Sequence, residues 1–349
     1  MKKKIDILIT GGAGYIGSHV LLNLLENTKL TVLVIDNLSL GSSKIIKDLK
    51  KIRFFYFEKL DINDEKKLNK IYSKFKVDTI IHLASNIIVS ESFKNPIKYY
   101  LNNLSKSINF FNCSIRNKVN KFIFSSTAAV YDSTKSLNIG FKENSNLNPN
   151  SPYGKTKLFF ERLIKDYSYT NKNFKYAILR YFNVAGADMH YINKNLSPRI
   201  GQVSKFPTHI IKKLCQSSIY DKPFHLNGNN FKTKDGTCIR DYIHVVDLSD
   251  IHYLVFKKLR SNNQNIELNC GYGIGYSNLE IVKNFQKISE KKIKIKIKKR
   301  RLGDEAILFS NSNKLKKYLS WKPKYNDLNK ICHSALKWEK KLKKKIKYY

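Results

Sequence analysis

The chain has 349 residues, a length that allows two domains, and 42% of them are hydrophobic and 12% aromatic. That apolar share excludes an intrinsically disordered chain and supports a sizeable packed core. The 65 Lys and Arg residues against 27 Asp and Glu give a formal charge of +38, and no apolar run approaches the roughly 20 residues that a membrane-spanning helix needs.

The first half of the chain alternates between short strands and longer helices. Helices are predicted at Ile16–Glu26 and Asp64–Phe75. Apolar runs rich in Ile, Val and Phe predict strands at Ile5–Thr10, Leu30–Ile35, Arg53–Phe57, Thr79–Leu83, Lys121–Ser125 and Tyr176–Tyr181. This alternation is typical of a parallel sheet with helices on both faces.

Beyond about Asn183 the alternation decays into polar segments, and loops are predicted at Met189–Phe206 and Asn227–Thr237. A helix is predicted at Asn278–Ser289. An alternating strand is predicted at Lys292–Lys298, with isoleucines on one face and lysines on the other.

We therefore expect an α/β protein: a Rossmann-type, doubly wound parallel sheet in residues 1–182 and a smaller, mixed α/β substrate lobe in residues 183–349. An arrangement in which segments near residues 225–260 return to the first domain stays open.

The cysteines and the charge suggest no further kind of site. The five cysteines include no C-x-x-C pair, so neither a disulfide framework nor a metal site is expected, and we expect a cytoplasmic protein. The cations are scattered and only nine are Arg, so we expect no specific nucleic-acid partner. A polyanion-binding NAD module is the alternative from another class, and heparin retention that resists salt distinguishes it.

The strongest motif is Thr10-Gly11-Gly12-Ala13-Gly14-Tyr15-Ile16-Gly17, between the first predicted strand and helix. Gly11, Gly14 and Gly17 have the spacing of a dinucleotide fingerprint. In that motif, glycines let the backbone approach a pyrophosphate, and the helix N-terminus presents unpaired N–H groups to it.

An acidic residue follows at the expected distance. Asp36 ends the second predicted strand, 19 residues after Gly17, and its carboxylate can accept hydrogen bonds from ribose hydroxyls. A 2′-phosphate at that place would meet like charge, so the expected cofactor is NAD rather than NADP.

Tyr153 and Lys157 form a Y-x-x-x-K pair, and of five such pairs in the chain only this one opens a helix, with Ser151 as N-cap and Pro152 in the first turn. Residues four apart share a helix face, so the ammonium is expected to lower the pKa of the phenol. Thr127, at the end of the fifth strand, could hydrogen-bond the same oxygen, although a strand-capping turn is nearly as good an interpretation.

Taken together, these motifs resemble the extended short-chain dehydrogenase/reductases, and among them the UDP-hexose 4-epimerases. The resemblance covers nearly the whole chain, through TGGAGYIG at 10–17, DNLS at 36–39, FIFSS at 122–126, SPYGKTK at 151–157, RYFNVAGA at 180–187, DGTCIRDYIHVVDL at 235–248 and SWKPKY at 320–325.

The resemblance implies an NAD-dependent isomerase of galactose metabolism that interconverts UDP-glucose and UDP-galactose. Tyr153 would remove the proton of the sugar 4-hydroxyl while the carbon-4 hydrogen passes, with its electron pair, to NAD+. The 4-keto sugar would turn over and receive the hydrogen on its opposite face.

The resemblance also assigns site residues. Catalysis would rest on Tyr153, Lys157 and Thr127, and Leu308 would gate sugar size. The cofactor residues would be Gly11, Gly14, Tyr15, Ile16, Gly17, Asp36, Asn37, Asp61, Ile62, Ala84, Asn103, Lys157 and Tyr181. The substrate residues would be Thr127, Tyr153, Asn183, Arg240, Arg301, Asp304 and Leu308.

Four positions bear on how far the resemblance extends. Ile87 stands where many relatives have a lysine near the cofactor, and Asn227 and Lys212 replace an aromatic and a proline, so uridine packing is expected to differ. Leu308 is intermediate between a bulky and a small gate. We expect UDP-glucose and UDP-galactose first, with the N-acetylated pair open.

The sequence also bears on two other reactions that this scaffold supports. A 4,6-dehydratase would carry Asp-Glu after the strand-end threonine, but Thr127 is followed by Ala128 and Ala129. An epimerase of a UDP-uronate or UDP-pentose is the closer alternative. The family pairs through two helices, here near Pro96–Arg116 and Pro152–Tyr169, so a homodimer is expected.

Overall fold

The structure is a computed structural model that describes residues 1–133, 139–192, 195–204, 207–262 and 264–344. Its strands are β1 (Lys3–Thr10), β2 (Val32–Asp36), β3 (Tyr56–Lys59), β4 (Phe75–His82), β5 (Lys121–Thr127), β6 (Lys175–Tyr181), β7 (Asn183–Ala185), β8 (Ala187–Ile192), β9 (Asn195–Gly201), β10 (Phe224–Asn227), β11 (Ile239–His244), β12 (Ile266–Cys270), β13 (Gly275–Ser277), β14 (Ile295–Lys298) and β15 (Ile307–Leu308).

The α-helices are α1 (Tyr15–Asn27), α2 (Ser43–Lys50), α3 (Glu65–Lys74), α4 (Val89–Lys94), α5 (Pro96–Tyr99), α6 (Lys106–Arg116), α7 (Pro152–Thr170), α8 (Ile210–Tyr220), α9 (Val245–Ser261), α10 (Asn278–Ser289), α11 (Asn313–Leu319) and α12 (Leu328–Lys344). A π-helical turn, Tyr100–Ser105, joins α5 to α6, and a 3-10 turn, Ala128–Val130, follows β5. Within the described residues, no helix has both the length and the apolar character needed to cross a bilayer.

The chain forms two compact units. The first contains Met1–Val130, Leu147–Arg180 and Ser249–Leu268, and the second contains Tyr131–Asn146, Tyr181–Leu248 and Asn269–Tyr349, of which residues 345–349 lie outside the described part. The chain therefore enters each unit more than once, whereas the sequence predicted one main boundary after residue 182. The late segment joins the first unit because β12 pairs with β6.

The first unit is built on a seven-stranded sheet with the order β12-β6-β5-β4-β1-β2-β3. Its central strands pair in parallel: Ile9 lies opposite both Val34 of β2 and Ile81 of β4. The predicted doubly wound α/β class is confirmed. In such a sheet the carboxyl ends of the strands share one edge, so Thr10, Asp36 and Thr127 all end strands at the edge where ligands bind.

Continuous apolar runs make these strands buried. Ile5, Leu8, Leu33 and Ile80 have no exposed surface and pack in one cluster with phenylalanines, including Phe160 of α7. Strands covered by helices on both faces need apolar residues at nearly every position, which explains why these runs were visible in the sequence.

In the part of the second unit that the structure describes, the strands form three small sheets. β11 pairs with β7, β13 and β15, and β10 pairs with β14. The predicted loop Met189–Phe206 was largely wrong, because β8 and β9 form an antiparallel hairpin there; residues 193, 194, 205 and 206 lie outside the described part. The signal that was not used is the alternation of Ala187, Met189 and Tyr191 with Asp188 and His190.

The predicted strand Lys292–Lys298 begins later, at Ile295. Ile293 is buried, but Ile295 and Ile297 are exposed, so the alternation does not mark a face that packs on the core. Because β10 and β14 form a sheet of only two strands, no apolar layer among the described residues covers the face that carries Ile295 and Ile297.

Lys212, the residue in place of a proline, has a clear packing role in the second unit. Its ammonium lies 2.7 Å from the carboxylate of Glu339 and 2.8 Å from the carbonyl oxygen of Gln202, and both charged side chains are almost fully buried. This ion pair joins α8 to α12.

Candidate active site

The glycine turn between β1 and α1 leaves no room for side chains. Gly11 has φ of +73°, and a Cβ there would lie 2.8 Å from the backbone nitrogen of Ala84. A Cβ on Gly17 would lie 2.2 Å from the carbonyl oxygen of Gly11. Gly14 is the N-cap of α1, which begins at Tyr15, so the first amides of the helix are available to an anion.

The three glycines are required for different reasons, which a pair of variants can separate. A methyl group on Gly14 would meet one atom, the Gly11 carbonyl oxygen at 3.2 Å, and otherwise open space. The space beside Gly14 is therefore open at the N-terminus of α1. Tyr15 stacks edge-on against His19 with ring centroids 5.3 Å apart, and Ile16 is half-buried.

We expect Gly17→Ala to lower the free energy of unfolding by about 2–4 kcal/mol, because its methyl group would overlap backbone that cannot move cheaply. Gly14→Ala should lower that free energy less than Gly17→Ala does when both are measured without bound nucleotide, but it should reduce the dinucleotide that copurifies with the protein. Urea unfolding and the nucleotide content of the purified variants check both. Equal destabilisation by the two changes would contradict a ligand-facing role for Gly14.

Asp36 is fixed by the backbone around it. Its two carboxylate oxygens accept hydrogen bonds from the amides of Ala13 at 2.9 Å and Leu38 at 2.8 Å. Burial nevertheless raises the pKa of Asp36. A carboxylate has about four acceptor sites, so two bonds from the backbone leave capacity for ribose hydroxyls.

The loop after Asp36 contributes residues that the sequence reasoning missed. Ser42 donates its amide to the carbonyl of Ala13 at 3.1 Å, and a Cβ on Gly41 would lie 3.0 Å from the Asp36 carboxylate. The loop thus closes on the glycine turn. A glycine five residues after the acid was the available signal.

Asp61, Asn37 and Lys106 form a polar cluster beside the ends of β2 and β3. The Asp61 carboxylate accepts hydrogen bonds from the Asn37 amide at 2.9 Å and the Lys106 ammonium at 2.8 Å. Burial alone would raise the pKa of Asp61, but these bonds and the amide of Asn63 hold it below its usual value. The neighbouring Ile62 is buried. Lys106, the first residue of α6, was not predicted.

Ala84 follows the end of β4, and Asn103 lies in the π-helical turn Tyr100–Ser105. The side-chain amide of Asn103 is buried and bonds both the amide and the carbonyl of Asn86 at 2.8 Å. The amide of Ala84 lies 3.3 Å from the Thr10 hydroxyl. Ile87, which replaces a lysine of many relatives, is exposed and carries no charge to this loop.

The predicted catalytic residues are brought together in the first unit. Ser151 caps α7 by accepting the amide of Gly154 at 3.0 Å, as predicted. The phenol of Tyr153 is hydrogen-bonded to the hydroxyl of Thr127. The ammonium of Lys157 is buried, lies 6.0 Å from the centre of the Tyr153 ring and donates to the carbonyl of Ser125 at 2.9 Å.

The pKa of the Tyr153 phenol is not lowered by Lys157 as expected in the protein chain alone. Burial raises the pKa of Tyr153 to about 12, and the hydrogen bond from Thr127 opposes that rise. Burial also lowers the pKa of Lys157 to about 7. The sequence argument considered attraction between the two groups, but removal from water acts on both and is larger here.

Apart from Thr127 and Tyr153, which lie in the first unit, the predicted substrate residues belong to the second unit, together with Tyr181, which ends β6. Arg301 and Asp304 are paired through two hydrogen bonds, at 2.9 and 3.0 Å. Burial raises the pKa of the nearby Cys238 thiol, while Arg240 and Arg301 lower it and Asp304 raises it. The charges of two guanidinium groups and one carboxylate therefore all act on Cys238.

Strand pairing fixes the positions of the two remaining substrate residues, Asn183 and Leu308. Asn183 lies opposite Tyr242, where β7 pairs with β11, and Leu308 lies opposite Arg240, where β15 pairs with β11. The strand β11 is itself anchored by Asp241, which accepts the amides of Tyr272, Gly273 and Ser310. Arg240 and Leu308 thus occupy fixed positions on adjoining strands.

Comparison with known families gives a consistent picture. Residues 7–271 match the model of the NAD dependent epimerase/dehydratase family. The chain is 37% identical over 341 residues to the UDP-glucose 4-epimerase of Azospirillum brasilense, which covers 97% of this chain and 93% of that one.

Solved structures agree. The UDP-Glc/GlcNAc 4-epimerase of Campylobacter jejuni is 41% identical, with a TM-score of 0.81 over 97% of this chain and 99% of that one. The UDP-glucose 4-epimerase of Bifidobacterium longum, solved in complex with NAD+ and UDP, is 31% identical, with a TM-score of 0.89 over 99% of this chain and 100% of that one.

Proposed function

The chain belongs to the NAD-dependent epimerase/dehydratase family, and from that membership we propose that it interconverts UDP-glucose and UDP-galactose by inverting carbon 4 of the sugar. It is an isomerase that uses NAD. The observation that carries the proposal is the buried phenol of Tyr153, bonded to Thr127 and one helical turn from Lys157. The corresponding physiological role would be galactose metabolism.

The proposed chemistry assigns each residue one task. Bound NAD+ would supply the oxidation, taking the carbon-4 hydrogen with its electron pair and later returning it. Tyr153, as phenolate, would accept the 4-hydroxyl proton, and Thr127 would hydrogen-bond the oxygen that changes between hydroxyl and ketone. Lys157 would stabilise the phenolate. Returning hydrogen to the opposite face of the 4-keto sugar, and the proton to its oxygen, completes the inversion.

We propose that the glycine turn holds the pyrophosphate, that Asp36 holds the adenosine ribose, and that Asn37, Asp61 and Ile62 border the adenine. Tyr15, Ile16, Ala84, Asn103 and Tyr181 complete the proposed cofactor residues. This proposal is supported by the helix N-terminus at Tyr15 and by the fixed carboxylates of Asp36 and Asp61.

For the substrate, we propose that Arg240 and Arg301 bind the diphosphate, that Asp304 binds the uridine ribose, and that Asn183 contacts the nucleotide sugar. Arg301 and Asp304 already bond each other, so the guanidinium is pre-oriented by its partner. Elimination by a dehydratase is disfavoured, because Thr127 is followed by the apolar turn Ala128–Val130, which offers no acid.

The experiment that tests the proposal is incubation of the purified protein, with no added nucleotide, with UDP-galactose, UDP-glucose and their N-acetylated forms. Conversion of UDP-galactose to UDP-glucose without net NADH production supports the proposal. Absence of conversion with all four, in protein that contains NAD, would reject it and favour a UDP-uronate or UDP-pentose substrate.

The N-acetylated sugars are a second candidate substrate pair. The relevant observations are the medium-sized Leu308, on the short strand β15, and the similarity to a Campylobacter enzyme described as a UDP-Glc/GlcNAc 4-epimerase. A leucine leaves more room than the tyrosine that the resemblance associates with narrow sites.

We expect Leu308→Tyr to lower turnover of any N-acetylated UDP-sugar at least about tenfold while sparing UDP-glucose, because the larger ring would fill the space of the acetamido group. The ratio of kcat/KM for the two substrates is the measurement. Ile307→Tyr is a matched control on the opposite face of the same strand. A ratio that changes equally in both variants would remove Leu308 from this role.

We also propose a homodimer that pairs through α6 and α7. Ile97, Leu101 and Phe159 are large apolar side chains that are exposed on the elements of this region, a pattern typical of a subunit interface. Sedimentation velocity of the purified protein would test it, and a monomer at all concentrations would reject it.

A further inference from the structure

Glu161 continues the row of functional side chains along α7. Tyr153, Lys157 and Glu161 are four residues apart, and residues with that spacing share one helix face. Glu161 is almost fully buried, in a position where a carboxylate needs partners. Its main partner is Arg180 of β6, which donates from two nitrogens, at 3.0 and 2.7 Å.

The same carboxylate also accepts a hydrogen bond from the Ser126 hydroxyl. Three consecutive residues of β5 therefore contact three residues of α7: the Ser125 carbonyl binds Lys157, Ser126 binds Glu161, and the Thr127 hydroxyl binds Tyr153. The contact between Ser126 and Glu161 is the stronger of the two hydroxyl contacts, because its acceptor is a charged carboxylate.

The charge of Glu161 also acts on Lys157. The groups that face the buried ammonium are Tyr153 and Glu161 on its own helix, His82 on β4 and, through Glu161, Arg180 on β6. Burial lowers the pKa of His82 to about 3, with help from Lys157, so this imidazole is neutral. Glu161 is the group that raises the pKa of Lys157 against the effect of burial.

We propose that Glu161 is a positioning residue for the catalytic pair: it fixes β5 against α7 through Ser126, and its negative charge favours the ammonium form of Lys157. The proposal rests on the function proposed for Tyr153 and Lys157. It assigns Glu161 no contact with substrate or cofactor. Arg180 has the matching role of holding the Glu161 carboxylate in place.

The test is the pH profile of kcat/KM in Glu161→Gln, which keeps an acceptor for Ser126 but removes the charge. Loss of the carboxylate lowers the pKa of Lys157, so the alkaline limb of the profile should move to lower pH by about one unit. At a pH just above the wild-type limb, turnover should fall about tenfold. Glu161→Asp, which restores the charge, should return the limb to its original pH.

Glu267→Gln is the matched control. Glu267 is the other carboxylate beside Arg180, at 3.3 Å, but it lies on β12. None of its observed contacts is with β5 or with the catalytic residues of α7. Its removal should leave the limb in place. The same shift in Glu267→Gln and Glu161→Gln would overturn the proposal, as would an unmoved limb in Glu161→Gln that still contains NAD.

Ser126→Ala provides a second test that does not depend on Glu161→Gln folding. It removes the bond to Glu161 without changing charge, and we expect kcat to fall about tenfold with the alkaline limb unmoved. Ser168→Ala, a buried serine later on α7, controls for lost stability. Equal kcat in the two serine variants would overturn the positioning role. An inactive wild-type protein would instead reject the proposed function itself.

Discussion

Tyr153→Phe should lower turnover at least about 10³-fold while the purified protein keeps its NAD, because only the oxygen that exchanges the proton is lost. The ring itself is buried and packs edge-on against Tyr99, with centroids 6.3 Å apart, so phenylalanine fills the same space. The loss should appear in kcat rather than in KM.

The measurement combines a coupled assay of UDP-galactose conversion with the NAD content and thermal unfolding of the variant. Thr127→Val is a companion variant, since it removes the hydrogen-bond partner and keeps the phenol. We expect it to lose less activity than Tyr153→Phe. Near-normal turnover in folded, NAD-containing Tyr153→Phe would eliminate this residue as the base.

Lys157→Met should lower turnover at neutral pH by about 10²-fold and move the optimum to higher pH. The phenol already has its pKa raised to about 12 by burial, and removal of the nearest cation on its helix raises the pKa further. An unchanged pH profile would contradict the assignment of Lys157.

The same variant should gain stability. Burial lowers the pKa of Lys157 in the folded protein to about 7, below its ordinary value, so the unfolded chain binds the proton more tightly. The wild-type protein therefore becomes more stable as pH rises from about 7 toward 10.5, and it carries the full penalty below pH 7. Lys157→Met removes that penalty.

We expect a gain of about 1–3 kcal/mol in the free energy of unfolding at pH 6, partly offset by loss of the bond to Ser125, and a smaller gain at pH 9. Urea unfolding at the two pH values is the measurement. A variant less stable than wild type at pH 6 would show that the ammonium is fully compensated where it lies.

The sequence revealed most of the first unit because its signals are local. The glycine turn, the N-cap Ser151 and the strand-end Asp36 each follow from neighbouring residues. In the second unit, α10 occupies the predicted residues Asn278–Ser289. The hairpin β8–β9 was missed although Ala187, Met189 and Tyr191 alternate with polar residues, because the polar residues and Pro198 in this stretch were interpreted as a loop.

The contacts that complete the site join residues distant in the chain. Lys106 and Asp61 are 45 residues apart, and Arg180 and Glu161 are 19 apart. Helical spacing could have singled out Glu161 but not its partners. The direction of the Tyr153 pKa was wrong for a related reason: burial depends on the whole tertiary structure, whereas the four-residue spacing concerns a single pair.

The ion pair between Lys212 and Glu339 constrains how this lineage can change. Exchanging either residue alone would leave a lone charge sealed in the protein, at a cost of about 3–5 kcal/mol, while exchanging both for apolar residues would be nearly neutral. Proteins that descend from this one are therefore expected to keep both residues or to lose both. A chimera that takes α12 from a relative with proline at position 212 would also need that relative's residue at position 212 on α8.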